Sequence, residues 1–232
     1  MTKTILIATR NAHKVAEIRA ILGRPWRFLA LDDFPGAPKV IEDAETFEGN
    51  AVKKAVELAR SLSPVAPHSS LLSPLSFVLA DDSGLEVDAL GGAPGVHSAR
   101  FAALDTGASG NSSDADNNAK LLRLLKDVPP EKRTARFRCV IALTRVPEER
   151  RENASPVCYA DDSETRAFSG ACAGKILFGP RGKNGFGYDP LFVPDGRAKT
   201  FAELGDAVKN KISHRARALE KLKIFLTAGG GR

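Results

Sequence analysis

The chain has 232 residues, 43% hydrophobic and 27% charged, with a formal net charge of +6. This is an ordinary globular composition with enough apolar residues to bury a core, as one large domain or two small ones. The positive excess favours anionic partners, nucleotides as readily as nucleic acid, and is too small for a dedicated DNA binder. Cys139, Cys158 and Cys172 are odd in number and lack C-x-x-C spacing, so neither a disulfide framework nor a zinc site is expected. The apolar run Ile5 to Ala8 is too short for a signal-peptide core, and Ser73, Pro74 and Ser76 break the stretch Leu71 to Ala80. The expected setting is cytoplasmic, with no membrane partner.

In chain order, Thr4 to Ala8 reads as a buried strand followed by a helix with apolar positions Val15, Ile18, Ile21 and Leu22, the opening of an α/β unit. A short strand is expected around Trp26 to Leu31. A long helix capped by Thr46 carries Phe47, Ala51, Ala55, Leu58 and Leu62 on one face. Ser61 to Ser76 reads as a surface loop or insertion. Phe77 to Ala80 is the next strand, and it leads into a glycine-rich acidic turn, Asp81-Asp82-Ser83-Gly84. Asp105 to Asn118 is polar, with a helical pattern resuming over Ala119 to Leu125. Arg136 to Thr144 alternates as a half-buried strand, and Arg145 to Pro156 reads as a hairpin loop. Two strands near Thr165 to Phe168 and Gly174 to Phe178 precede the turn Gly179 to Gly187. A final helix spans Ser213 to about Leu226, and 229–232 form a flexible tail.

The chemistry concentrates in four places. Thr9-Arg10-Asn11-Ala12-His13-Lys14 puts three basic side chains in the first turn of a helix, where the partial positive charge disfavours them unless an anion binds. Ser213-His214-Arg215 repeats the anomaly at the last helix, with Lys209 and Lys211 just before it. Two such helix starts point to a shared polyphosphate. Asp81 and Asp82, adjacent at a strand end, supply one metal ligand or base and one supporting carboxylate, because successive strand residues face opposite sides. Gly185-Phe186-Gly187-Tyr188-Asp189-Pro190 offers aromatic faces and a carboxylate to a nucleobase.

Taken together and in this order, Thr9 to Lys14, Asp81 to Leu85 running on to Ser98-Ala99-Arg100, Phe186 to Pro190, and Ser213 to Arg215 resemble the inosine/xanthosine triphosphate pyrophosphatase family of non-canonical purine NTP pyrophosphatases. The resemblance implies an α/β fold over residues 1–228: a single domain with a long central mixed sheet and two lobes flanking a nucleotide-binding cleft. It further implies a homodimer and Mg²⁺-dependent hydrolysis of ITP, dITP and XTP to the monophosphate and pyrophosphate. By the same resemblance Thr9, Asn11 and Lys14 hold the triphosphate, Asp82 serves the metal and the catalytic water, and Glu42 is a second metal carboxylate. Asn50, Ser83, Arg100, Lys209, His214 and Arg215 line the substrate, and Phe186, Gly187, Tyr188 and Asp189 embrace the base. The sequence departs from the family pattern at Arg10, where Gly is usual, at His97, where Tyr is common, and at Gly49, where Glu is customary. Gly49 removes the carboxylate that would complete a capping box with Thr46, so that helix start is expected to be less firmly held. Two other readings compete: a septum-inhibitor-like pyrophosphatase of other modified nucleotides, and a basic nucleic-acid-binding module. The first lacks its Ala-Ser-x-Ser-Pro-Arg opening; the second is opposed by the acidic cluster Asp81, Asp82, Glu86 and Asp88.

Overall fold

The structure is a computed structural model that describes residues 3–62, 75–105, 107, 110–146 and 165–229. The expected insertion at Ser61 to Ser76 and the loop at Arg145 to Pro156 lie largely outside the described residues, as do Cys158 and the last three residues of the tail. Six strands form one sheet in the order β2-β1-β3-β4-β5-β6. They are β1 (Thr4–Ile7), β2 (Arg27–Ala30), β3 (Leu75–Val87), β4 (Thr134–Arg145), β5 (Thr165–Ile176) and β6 (Phe192–Pro194). The sheet is mixed: β1 runs parallel to β2 and β3, and β6 is antiparallel to β5. The helices are α1 (Ala12–Leu22), α2 (Phe47–Leu62), α3 (Asp114–Leu124), α4 (Phe201–Leu204), α5 (Asp206–Ile212) and α6 (His214–Thr227). The fold class is therefore the α/β class with a mixed central sheet that the sequence led us to expect.

The chain divides into two compact units. The first comprises Met1–Asp82, Val140–Phe168 and Leu219–Arg232; the second comprises Ser83–Cys139 and Ser169–Ala218. In the first, β1 is buried along its whole length, which is why it is a continuous apolar run rather than an alternating one. Its parallel register sets Ile7 opposite Leu79, and the Ala8 N–H donates to the Leu79 carbonyl at 2.7 Å. The loop that leaves β1 thus runs beside Asp81 and Asp82, at the carboxyl end of β1 and midway along β3. The second unit packs Leu85, Phe101, Leu121, Phe137, Phe192 and Phe201 into its own core.

Four elements differ from their sequence expectation. Strand β3 continues through Asp81-Asp82-Ser83-Gly84 to Val87 instead of turning there, because Leu85 and Val87 resume the buried pattern and the two carboxylates are accommodated within the strand. Helix α3 begins five residues early, at Asp114, since Ser113 caps it by accepting the Asp116 N–H and its acidic first turn suits the helix dipole. The two short strands expected after Thr165 are one strand, β5. Its glycines are required by close approach: a Cβ on Gly170 would lie 2.2 Å from the His214 carbonyl oxygen, and one on Gly174 would lie 2.3 Å from that of Val193. Finally, Lys209 and Lys211 occupy the last turn of a separate short helix, α5, where cations are favoured. They are no part of a misplaced charge at the start of α6.

Candidate active site

In the first unit the site grows from the end of β1. The Asn11 side-chain oxygen caps α1 by accepting the N–H groups of His13 and Lys14, and the Thr9 hydroxyl accepts that of Asn11. No acidic residue occupies the first turn of α1. Lys14 instead reaches β3, donating to the Asp81 carboxylate at 2.5 Å, so its charge is met by an acid remote in sequence. Arg10 is exposed and makes a long 3.5 Å contact with the Ala37 carbonyl.

Helix α2 contributes a residue absent from the sequence expectation. Lys54 is 8% exposed, donates to the Asp81 carbonyl at 3.1 Å and pairs with Glu42 at 2.7 Å. The signal was present in the pattern: Asn50 and Lys54 lie four apart on the same buried stripe as Phe47, Ala51 and Leu58, where a polar residue needs a reason. Asn50 is 1% exposed and uses both ends of its amide on Ala44, accepting its N–H at 2.9 Å and donating to its carbonyl at 3.2 Å. This clamp holds the segment that carries Glu42. Of the capping box at this helix start, the Thr46 hydroxyl accepts the Gly49 N–H at 3.0 Å, and Gly49 offers no carboxylate to return the bond. A Cβ at residue 49 would lie 2.8 Å from that of Ala44, so glycine permits the approach.

Asp82 lies within this cluster, 6% exposed. Burial pushes its carboxyl up to about 6; Lys14 and Lys54 oppose the shift, while the like charges of Glu42 and Asp81 reinforce it. Among the described residues no group of three His, Cys, Asp or Glu side chains forms a metal cage. The pair Glu42 and Asp82 nevertheless suits a hard divalent cation, which is commonly held by one or two carboxylates plus substrate phosphates. Their mutual repulsion is what such a cation would relieve.

In the second unit a separate set converges around Phe186. Asp189, 2% exposed, accepts the Phe186 N–H at 3.0 Å and pairs with the equally buried Lys209 at 2.5 Å. The Lys209 ammonium stands 4.3 Å from the Phe186 ring centroid and the Arg215 guanidinium 5.9 Å. Gly185, at φ +76°, allows the carboxylate in, because a Cβ there would lie 2.3 Å from an Asp189 oxygen. Arg215, 1% exposed, donates to the Ser83 hydroxyl at 2.9 Å, and His214 stacks on Phe137 with centroids 4.7 Å apart. Tyr188 is buried and donates to the Ser98 carbonyl at 2.9 Å; burial raises its pKa, which keeps the phenol neutral. Gly187 has both backbone groups engaged by α3, its N–H by Asp114 and its carbonyl by Asn118. Arg100 closes the 3₁₀ stretch that begins at Gly95 and is half-buried.

The model of the Ham1 family matches residues 5–225, nearly the whole chain. The chain belongs to the Ham1 family. A relative from Geobacter sulfurreducens named dITP/XTP pyrophosphatase is 47% identical over 223 residues, covering 96% of each chain. One of the same name from Geobacillus kaustophilus is 46% identical over 221 residues, covering 95% of this chain and 92% of the relative. Among Ham1 structures, that from Coxiella burnetii superposes with a TM-score of 0.76 at 36% identity, covering 98% of this chain and 100% of that one. The Staphylococcus aureus Ham1 protein gives 0.74 at 35% identity with the same coverage.

Proposed function

We propose that this Ham1 chain is a nucleoside-triphosphate pyrophosphatase that hydrolyses non-canonical purine nucleotides, dITP and ITP, XTP and dXTP, to the monophosphate and pyrophosphate. We further propose that it depends on Mg²⁺ and works as a homodimer on the cytoplasmic nucleotide pool. The observation that carries the reading is Asp82, a buried carboxyl raised to about 6 with two lysines and two further carboxylates around it. Without a cation this carboxyl is costly to ionise, so it gains from binding one, and the carboxylate then formed is the base that proton abstraction from water requires.

Glu42 and Asp82 would hold the metal, which when bound supplies neutralisation of phosphate charge. Asp82 orients the attacking water and takes its proton. Lys14, held in place by Asp81, and Lys54, held by Glu42 and the Asp81 carbonyl, stabilise the charge that gathers on the leaving pyrophosphate. Thr9, Asn11 and the helix start they cap receive the phosphates, with Arg10, Ala12 and His13 alongside. In the second unit Phe186 offers its face to the base, while Asp189 and Lys209 hold that loop in one conformation. Hypoxanthine and xanthine present a 6-oxo acceptor and an N1–H donor; adenine presents the reverse and leaves buried groups unpaired.

Pyrophosphate release from a panel of dITP, XTP, dGTP, dATP and dCTP, with Mg²⁺ and with EDTA, tests the reading. Preferential turnover of dITP and XTP that disappears with EDTA is expected. Equal turnover of all five, or none, refutes it.

A further inference from the structure

The Phe186–Asp189 loop turns on Gly187, whose φ of +61° is a conformation that a glycine adopts freely and leaves as freely. Its two backbone groups are held from one face of α3. Asp114 accepts the Gly187 N–H at 2.6 Å, and Asn118, four residues along, donates its amide N–H to the Gly187 carbonyl at 3.0 Å. The cap of the helix is Ser113, so neither side chain is needed for capping, and Asp114 shares its dipole role with Asp116. Asn118 carries a penalty for this placement: among the described residues its Oδ1 is buried with no hydrogen-bond partner. A leucine at that position would avoid the orphaned oxygen, so the amide makes physical sense as a donor to Gly187.

We infer that Asp114 and Asn118 are positioning residues that set the purine preference of the Phe186–Asp189 loop by pinning, from one face of α3, the two peptide groups that flank the Gly187 Cα. Guanine shares the 6-oxo edge with hypoxanthine and xanthine but carries a 2-amino donor where xanthine has a 2-oxo acceptor, so its rejection depends on a loop whose backbone groups stay fixed and do not turn to accept that donor. With the brace removed, Gly187 samples other backbone wells and the loop tolerates both bases more evenly. This inference rests on the pyrophosphatase reading above.

The test is steady-state kinetics of the full chain on dITP and dGTP, with the variants Asp114→Ala, Asp114→Asn and Asn118→Leu, alongside thermal melting. For Asp114→Ala and Asn118→Leu, kcat/KM for dITP should fall roughly tenfold, mainly through KM, and the dITP-to-dGTP ratio should fall about fivefold. Asp114→Asn keeps an acceptor for the Gly187 N–H and should restore most of the ratio. Asn118→Leu should melt no lower than the wild type, whereas a merely structural role for Asn118 would lower its Tm and leave the ratio unchanged. Amide exchange at Gly187 should accelerate in Asp114→Ala. A wild type that hydrolyses dITP while both variants keep its base ratio overturns the brace alone; a wild type inactive on every purine nucleotide overturns the pyrophosphatase reading and the brace with it.

Discussion

The two candidate clusters, one in each unit, solve opposite electrostatic problems. Around Asp82 three carboxylates gather near two lysines, and the outcome is a group held away from its ordinary ionisation. Around Phe186 one carboxylate and one ammonium are matched one to one in the buried Asp189–Lys209 pair, which also ties down the adjacent backbone. The first arrangement is poised to gain from a cation and to move a proton. In the second the carboxylate already has its ammonium, and under the proposed function its value is a fixed shape. Under the proposed function, chemistry and selectivity ask for different degrees of satisfaction from the same residue types.

The largest effect that tests this contrast is on turnover. Asp82→Asn keeps the shape but cannot take a proton, so kcat should fall by about three orders of magnitude or more with the circular dichroism spectrum unchanged. A variant within tenfold of wild type breaks the assignment. On stability the order reverses. Lys209→Ala leaves the Asp189 carboxylate buried and unpaired and should cost about 3–5 kcal/mol in chemical denaturation. If Asp82→Asn proved the more destabilising of the two, the comparison would be wrong.

A third expectation separates the halves by pH. Asp82 has its folded pKa raised from 3.8 to about 6, so folding favours the protonated form. The wild type therefore loses this contribution as pH rises from 3.8 through about 6, and below 3.8 it is fully present. In EDTA, Asp82→Asn should melt higher than wild type at pH 8, and the gap should close by pH 3.5. Lys209→Ala should melt lower at pH 8. The smallest effect concerns Gly49. Gly49→Ala forces Ala44 aside and shifts the segment that carries Glu42, so the Mg²⁺ concentration for half-maximal activity should rise about two- to fivefold. No change in the Mg²⁺ titration would mean that Glu42 does not depend on this packing.

Much of this architecture was legible in the residues. The buried run of β1, the apolar stripe of α2 and the alternation of β4 follow local periodicity, which needs no knowledge of the neighbours. The stretches proposed to form the site stand out as motifs, because each is short and contiguous. Where the reading failed, the deciding partner was distant in sequence. Strand β3 passes through Asp81 and Asp82 with acids that sequence marks as turn formers, but Lys14 and Lys54 lie beside them only in the folded chain. Lys54 reads by residue type as an ordinary solvated helix lysine, and its burial is decided by Asp81 and Glu42. The glycines of β5 look like strand breakers until α6 and β6 are seen lying against them. Asp114 sits in a polar stretch whose function depends on a glycine 73 residues away.

What the amino-acid order determines by itself is the identity and spacing of the elements and the chemical types gathered at each helix start and strand end, because these arise from steric and hydrophobic periodicities a few residues long. Tertiary structure alone decided which charges are compensated. It paired Lys14 with Asp81, Lys54 with Glu42 and Lys209 with Asp189, and it gave Asp82 its altered acidity. The reason is that ionisation and pairing depend on burial and on distances through space, which folding sets and chain separation does not.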